Sequence, residues 1–159
     1  MKYIAHRGLL EGPNKELENH PEQILKSLAA GFDCEIDLWA VNSELWLGHD
    51  EPQYPIREDF LKEFGLWIHA KNLAALRFLL DTDYNYFWHQ EDNFTLTSHR
   101  FIWAYPGQEL TTCSVMVMPE MIDSTLNICV DAKCYAICSD YALRLRTMNS
   151  IADSASPRV

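Results

Sequence analysis

Residues 31–50, GFDCEIDLWAVNSELWLGHD, place two carboxylates inside an apolar strand pattern, and no other feature constrains the fold as much. Phe32, Ile36, Leu38 and Trp39 read as buried strand, so Glu35 and Asp37, two residues apart, project from one face. Two like charges on one face repel. Burying them is costly unless a cation or a hydrogen-bond network compensates, and a divalent metal with oxygen ligands is the simplest compensator. The other reading, a half-exposed strand with a solvated acidic face, is the better one for this stretch alone; the flanking segments tip the balance.

Upstream, Tyr3-Ile4-Ala5 runs directly into His6-Arg7-Gly8; downstream, Leu45-Trp46-Leu47 runs into Gly48-His49-Asp50. Titratable residues thus follow strands twice. In barrels built of strand and helix units the carboxyl ends of the strands carry the chemistry. Between the first two strands, Gly12-Pro13-Asn14 marks a loop, Pro21 opens a helix over residues 22–30, and Gly31 stops it, which is the strand–helix–strand unit of a parallel sheet. Asn19 or His20 is positioned to cap that helix. Farther on, Pro52 and Pro55 mark a loop, residues 57–64 read as a short helix closed by Gly65, and Leu66-Trp67-Ile68-His69-Ala70-Lys71-Asn72 begins as a third buried strand. Alternation puts His69 and Lys71 on one face of it, and residues 73–80 follow as an amphipathic helix.

The series IAHRG, ELENHPE, CEIDLW and LGHDE resembles the glycerophosphodiester phosphodiesterase family, which carries a His-Arg-Gly opening, a Glu-Asn element, a Glu-x-Asp pair and a His-Asp. The resemblance implies that His6 and His49 form a general acid/base pair, that Arg7 and Lys71 contact the substrate phosphate, and that Glu35 and Asp37 bind a divalent metal. The family's next strand carries Glu-x-Lys. Here Lys71 fits, and His69 stands where the third acidic ligand would be. The implied cofactor is magnesium or calcium, with manganese or zinc brought into range by an imidazole ligand. The implied activity is hydrolysis of a small glycerol- or sugar-type phosphodiester. The alternatives are a phospholipase D-like lyase that forms a cyclic phosphate, or a non-catalytic phosphate-binding module. Each residue also has a structural reading: Lys71 could pair with Glu35 and remove any need for a metal, Arg7 could pair with a strand-end carboxylate, and His49-Asp50 could be a loop hydrogen bond. His20, His89 and His99 read as surface or packing residues, with His89 placed to border a substrate, while Glu120 and Asp140 follow strand signals and would line the mouth of the site.

The rest of the chain has short β runs at residues 86–88, 101–105, 115–118, 126–130 and 135–138, with room for only a turn or two of helix over 93–98. That makes about eight strands in all. A full (β/α)8 barrel takes about 250 residues and about 200 at its lower end; with 159 residues the expectation is a minimal TIM-type (β/α)8 barrel with reduced helices in its second half. One domain over residues 1–146 and a loose tail over 147–159 are expected. A thinned helical shell exposes apolar surface, which favours a homo-oligomer. The formal charge of −10 excludes nonspecific nucleic-acid binding, which requires a basic surface. Five cysteines without paired C-x-x-C spacing read as reduced core residues. No stretch approaches the ~20 apolar residues of a membrane span, and Met1-Lys2-Tyr3 leads into a strand without a signal-peptide pattern, so a cytoplasmic location is expected.

Overall fold

β1 (Lys2–Ala5) is the hub of the sheet, pairing in parallel with β2 (Asp33–Val41) on one side and with β10 (Ala136–Ser139) on the other. The computed structural model describes residues 1–129 and 132–155. β2 is long enough to serve three neighbours. It pairs in parallel with β5 (Leu66–Ala70), which pairs in parallel with the two-residue β6 (Tyr86–Phe87). Beyond Leu38, β2 turns back through Asn42 and Ser43, both at positive φ, into β3 (Glu44–Leu47), and β4 (Tyr54–Ile56) completes this antiparallel flap. Two successive left-handed residues are what a tight hairpin needs to match strand twist. On the other side the parallel order continues from β10 through β9 (Ser114–Val117) to β8 (Ile102–Ala104), and β7 (Phe94–Leu96) adds antiparallel to β8.

The sheet curls so that alternate side chains face inward. Ile4, Trp67, Phe87, Trp103, Val115 and Cys138 form an inner apolar cluster, and the Phe87 and Trp103 rings stack at 4.6 Å across the curl between β6 and β8. The outer face of β2 and β5, with Cys34, Ile36, Leu38 and Ile68, packs under α1 (Pro21–Ala29) and α2 (Leu73–Leu80). α2 is capped by Asn72, whose side chain accepts from the Ala75 N–H at 2.8 Å. α3 (Ala142–Ala155) covers β1 and β10, with Leu145 joining Ile137, Leu126 and Cys129.

The expected (β/α)8 barrel is not what forms. The chain builds a strand-rich, curled mixed sheet with three α-helices among the described residues, not a ring in which a helix follows every strand. The connections give the reason. A crossover helix between parallel strands takes about a dozen residues or more with its loops; residues 105–113 between β8 and β9 fall short of that, whereas residues 118–135 between β9 and β10 have the length but form two 3-10 turns, Pro119–Met121 and Asn127–Cys129, among the described residues. Three local readings change accordingly. Residues 127–129, expected within a strand, are one of those turns, and residues 94–96, expected as a turn of helix, are β7. Residues 147–155, expected in a loose tail, continue α3, while 156–159 lie outside the described residues. No helix among the described residues is long and apolar enough to cross a membrane.

Candidate functional site

The carboxyl ends of β1, β2, β5, β6, β8 and β9 surround a cavity of about 410 Å3. Parallel register decides what meets there. Asp37 on β2 lies beside His69 on β5, and Glu35 lies one step below beside Trp67. Glu35 and Asp37 are both buried, on the inward face that their spacing requires.

Asp37 is held from every side. Asn19 clamps it twice, donating from Nδ2 to Oδ2 at 2.8 Å and accepting the Asp37 backbone N–H at 2.9 Å. Lys71 Nζ lies 3.3 Å and His69 Nδ1 3.1 Å from Oδ1, and Arg7 Nε lies 3.4 Å from Oδ2. Burial alone would raise the Asp37 carboxyl, but the contact with His69 and the charges of Lys71 and Arg7 outweigh it and hold the group well below the usual carboxylate range. Glu35 is the opposite case. Burial and the neighbouring Asp37 charge push its carboxyl up, and it accepts one backbone hydrogen bond, from Arg7 N–H to Oε2 at 3.1 Å. That bond depends on the turn His6–Gly8, in which Arg7 is left-handed at φ 51° and Gly8 follows at φ 78°, with Ile24 so near that a Cβ would be crowded.

His6 stands between two carboxylates, with Nδ1 2.8 Å from Asp140 Oδ1 and Nε2 3.9 Å from Glu35 Oε2. Burial would lower its pKa; the Asp140 contact and the Glu35 charge overcome that and raise it. Asp140 is fixed in turn, its backbone N–H donating to Glu120 Oε1 at 3.0 Å. Arg7 NH1 donates to Glu18 at 2.9 Å, while its buried Nε has no hydrogen-bond acceptor among the described residues. His69 is flanked by two acceptors, Asp37 Oδ1 at 3.1 Å and the His89 carbonyl at 3.3 Å. A neutral imidazole has one N–H. One of the two contacts therefore needs a further positive charge, either a second proton or a metal ion.

Glu35, Asp37 and His69 each offer a ligand atom within 4.8 Å of the others. Adjacent ligands around an ion at about 2.1 Å are about 3.0 Å apart, and opposite ones about 4.2 Å, or about 4.8 Å at the longer bonds of calcium. The donor set therefore fits a divalent ion, with the His69 Nε2–H to carbonyl contact fixing the ring in the manner of a metal-bound imidazole.

The structure brings His6, Arg7, Glu35, Asp37, His69 and Lys71 to one cavity. His49 also lines it but is more exposed, and its Nδ1 partner is Asp50 at 2.7 Å, not the carboxylate cluster. Gly48 sets that position at φ 152°, where a Cβ would collide with the Glu51 carbonyl. His20 is the N-cap of α1 without a side-chain cap bond, and Asn19 serves Asp37, so neither caps that helix through its side chain. His89, read as a surface or packing residue that could border a substrate, lines the cavity; burial and the neighbouring charges of His69 and Lys71 lower its pKa to about 4. The opposite wall, with Phe87, Trp103, Tyr105, Val117 and Met121, was not singled out as part of a site. Its only sequence signal is that aromatic residues end two of the strand runs, 86–88 and 101–105, which core residues do equally well.

Comparison with known proteins gives no family model, no curated protein and no solved structure that matches the chain.

Proposed function

We propose that this chain is a metal-dependent phosphodiesterase acting on a small glycerol- or sugar-type phosphodiester, as the resemblance of its strand-end motifs implies. The observation that carries the reading is a charge imbalance. Glu18, Glu35, Asp37 and Asp140, with Glu120 behind Asp140, converge on two fixed cations among the described residues, Arg7 and Lys71. A divalent ion narrows that gap, and a proton on His6 narrows it further.

A divalent ion held by Glu35, Asp37 and His69 supplies Lewis-acid polarisation of a phosphoryl oxygen. Arg7 and Lys71, both ion-paired with Asp37, add fixed positive charge beside the phosphate, Arg7 through its planar guanidinium and Lys71 as a point charge. His49 takes the proton of the attacking water as its oxygen bonds to phosphorus. His6, oriented by Asp140 and favoured in its protonated form, gives a proton to the departing alkoxide as the phosphorus–oxygen bond breaks. The products are a phosphomonoester and an alcohol.

A second reading, a phosphate-binding module without turnover, draws on the four side chains that already satisfy Asp37. Phosphorus NMR of the protein with glycerophosphodiesters, with magnesium, calcium, manganese or zinc and with a chelated control, separates the readings. The expected result is monoester that forms only with metal and falls at least about 100-fold in His6→Ala. A cyclic phosphate product replaces hydrolysis by the lyase reaction. Saturable phosphodiester binding without product replaces the enzyme by the binding module.

A further inference from the structure

The cavity has two unlike walls, and the join between them is continuous. His69 stacks on Phe87 at 5.0 Å, and Phe87 stacks on Trp103 at 4.6 Å, so the candidate ligand set passes directly into an apolar surface. Val117, Met118 and Met121 extend that surface toward the mouth. There it emerges as an apolar lip: Met121 is 63% exposed, Tyr105 45% and Trp88 37%, with Ile122 beside them at 59%. Ile122 packs over the Tyr105–Gly107 loop, its Cδ1 3.4 Å from where a Cβ on Gly107 would lie, which ties the two halves of the lip together.

A purely polar phosphodiester leaves this wall and lip in water. We propose that the substrate is an amphiphile, a phosphodiester with one alkyl or acyl arm, whose phosphate lies at Arg7 and Lys71 and whose apolar arm runs over Phe87, Trp103 and Val117 and out across Met121. This rests on the phosphodiesterase reading and narrows it. The arm is aliphatic, not aromatic, for two reasons. Methionines with three rotatable bonds adapt to a flexible chain. In addition, about 410 Å3 is the room of roughly fourteen water molecules at ~30 Å3 each, so a long chain attached to a phosphodiester overhangs it, and the exposed lip is where it would rest.

The test compares glycerophosphocholine with its lauroyl ester, lauroyl-lysophosphatidylcholine, below the micellar concentration, by metal-dependent turnover. The proposal expects kcat/KM at least tenfold higher for the lauroyl compound and a ratio reduced at least threefold in Met121→Asp, an exposed position where the substitution does not threaten the fold. Equal or lower kcat/KM for the lauroyl compound overturns the apolar arm while leaving the phosphodiesterase intact. If neither compound is turned over, the phosphodiesterase reading fails, and calorimetric binding of dodecylphosphocholine against glycerophosphocholine decides the arm alone. At least tenfold tighter binding of dodecylphosphocholine, weakened by Met121→Asp, sustains it; equal binding, or none, overturns it.

Discussion

β1, β2 and β5 and the strands β8 and β9 present their carboxyl ends to the same cavity, but they are built differently. The first group carries the charged residues and is backed by α1 and α2, so Glu35 and Asp37 sit on a strand locked on both edges and on its outer face. The second group contributes mainly an apolar wall, and among the described residues its strands connect to each other and on to β10 through loops and 3-10 turns without an α-helix between them. The difference follows from what each wall must do. Opposed charges need positions fixed to a fraction of an ångström, whereas an apolar surface tolerates looser support.

The sharpest way to break this contrast is to remove Asp37. Asp37→Ala leaves Lys71, Arg7 and Asn19 facing a buried void, and the expected cost is about 3–5 kcal/mol, read as a lower urea midpoint at unchanged slope. Glu35→Gln is the control. It keeps the shape and removes a charge that burial and Asp37 already disfavour, so in chelator the midpoint should stay or rise. A loss in Glu35→Gln as large as that in Asp37→Ala would show that the cluster holds the Glu35 charge as firmly as that of Asp37, against the reading that burial and Asp37 disfavour it.

Trp103→Leu probes the other group. It removes the ring that meets Phe87 across the curl and should cost about 2 kcal/mol from lost burial and stacking. A loss larger than that of Asp37→Ala would reverse the comparison and make the aromatic wall the framework of the fold.

The same contrast explains what could be read in the sequence. A carboxylate in an apolar strand is conspicuous because period-two alternation allows it only one face, and Glu35, Asp37, His69 and Lys71 were legible for that reason. β4 was hidden by Pro55, which fits an edge strand that the flanking prolines made look like loop. Asn19 read as helix entry because capping and clamping use the same amide; only the fold brings Asp37 to it. The wall of Phe87, Trp103 and Val117 has no signature distinct from core. The closed barrel does not form even with reduced helices, because the chain uses β3, β4 and β7 in antiparallel pairings that period and length alone do not distinguish from parallel ones.

The smallest effect is read against pH in the metal-free protein. The raised values of His6 and Glu35 mean that the folded state holds these protons more tightly than the unfolded chain. Their contribution to stability is complete below the unfolded values, about 6.5 for His and about 4.3 for Glu, and is lost as pH rises through the folded ones. Asp37 works in the other direction: its lowered value contributes stability above about 3.9 that is lost on acidification. As pH rises above about 6.5 the His6 contribution is lost, so melting temperature in chelator should fall, and His6→Gln should remove the His6 part of that fall. Saturating divalent metal should oppose it, because ligands bind better as competing protons leave. Parallel profiles for the wild type and His6→Gln would mean that Asp140 does not hold the His6 proton, and the assignment of His6 as the group that protonates the leaving oxygen would fall with it.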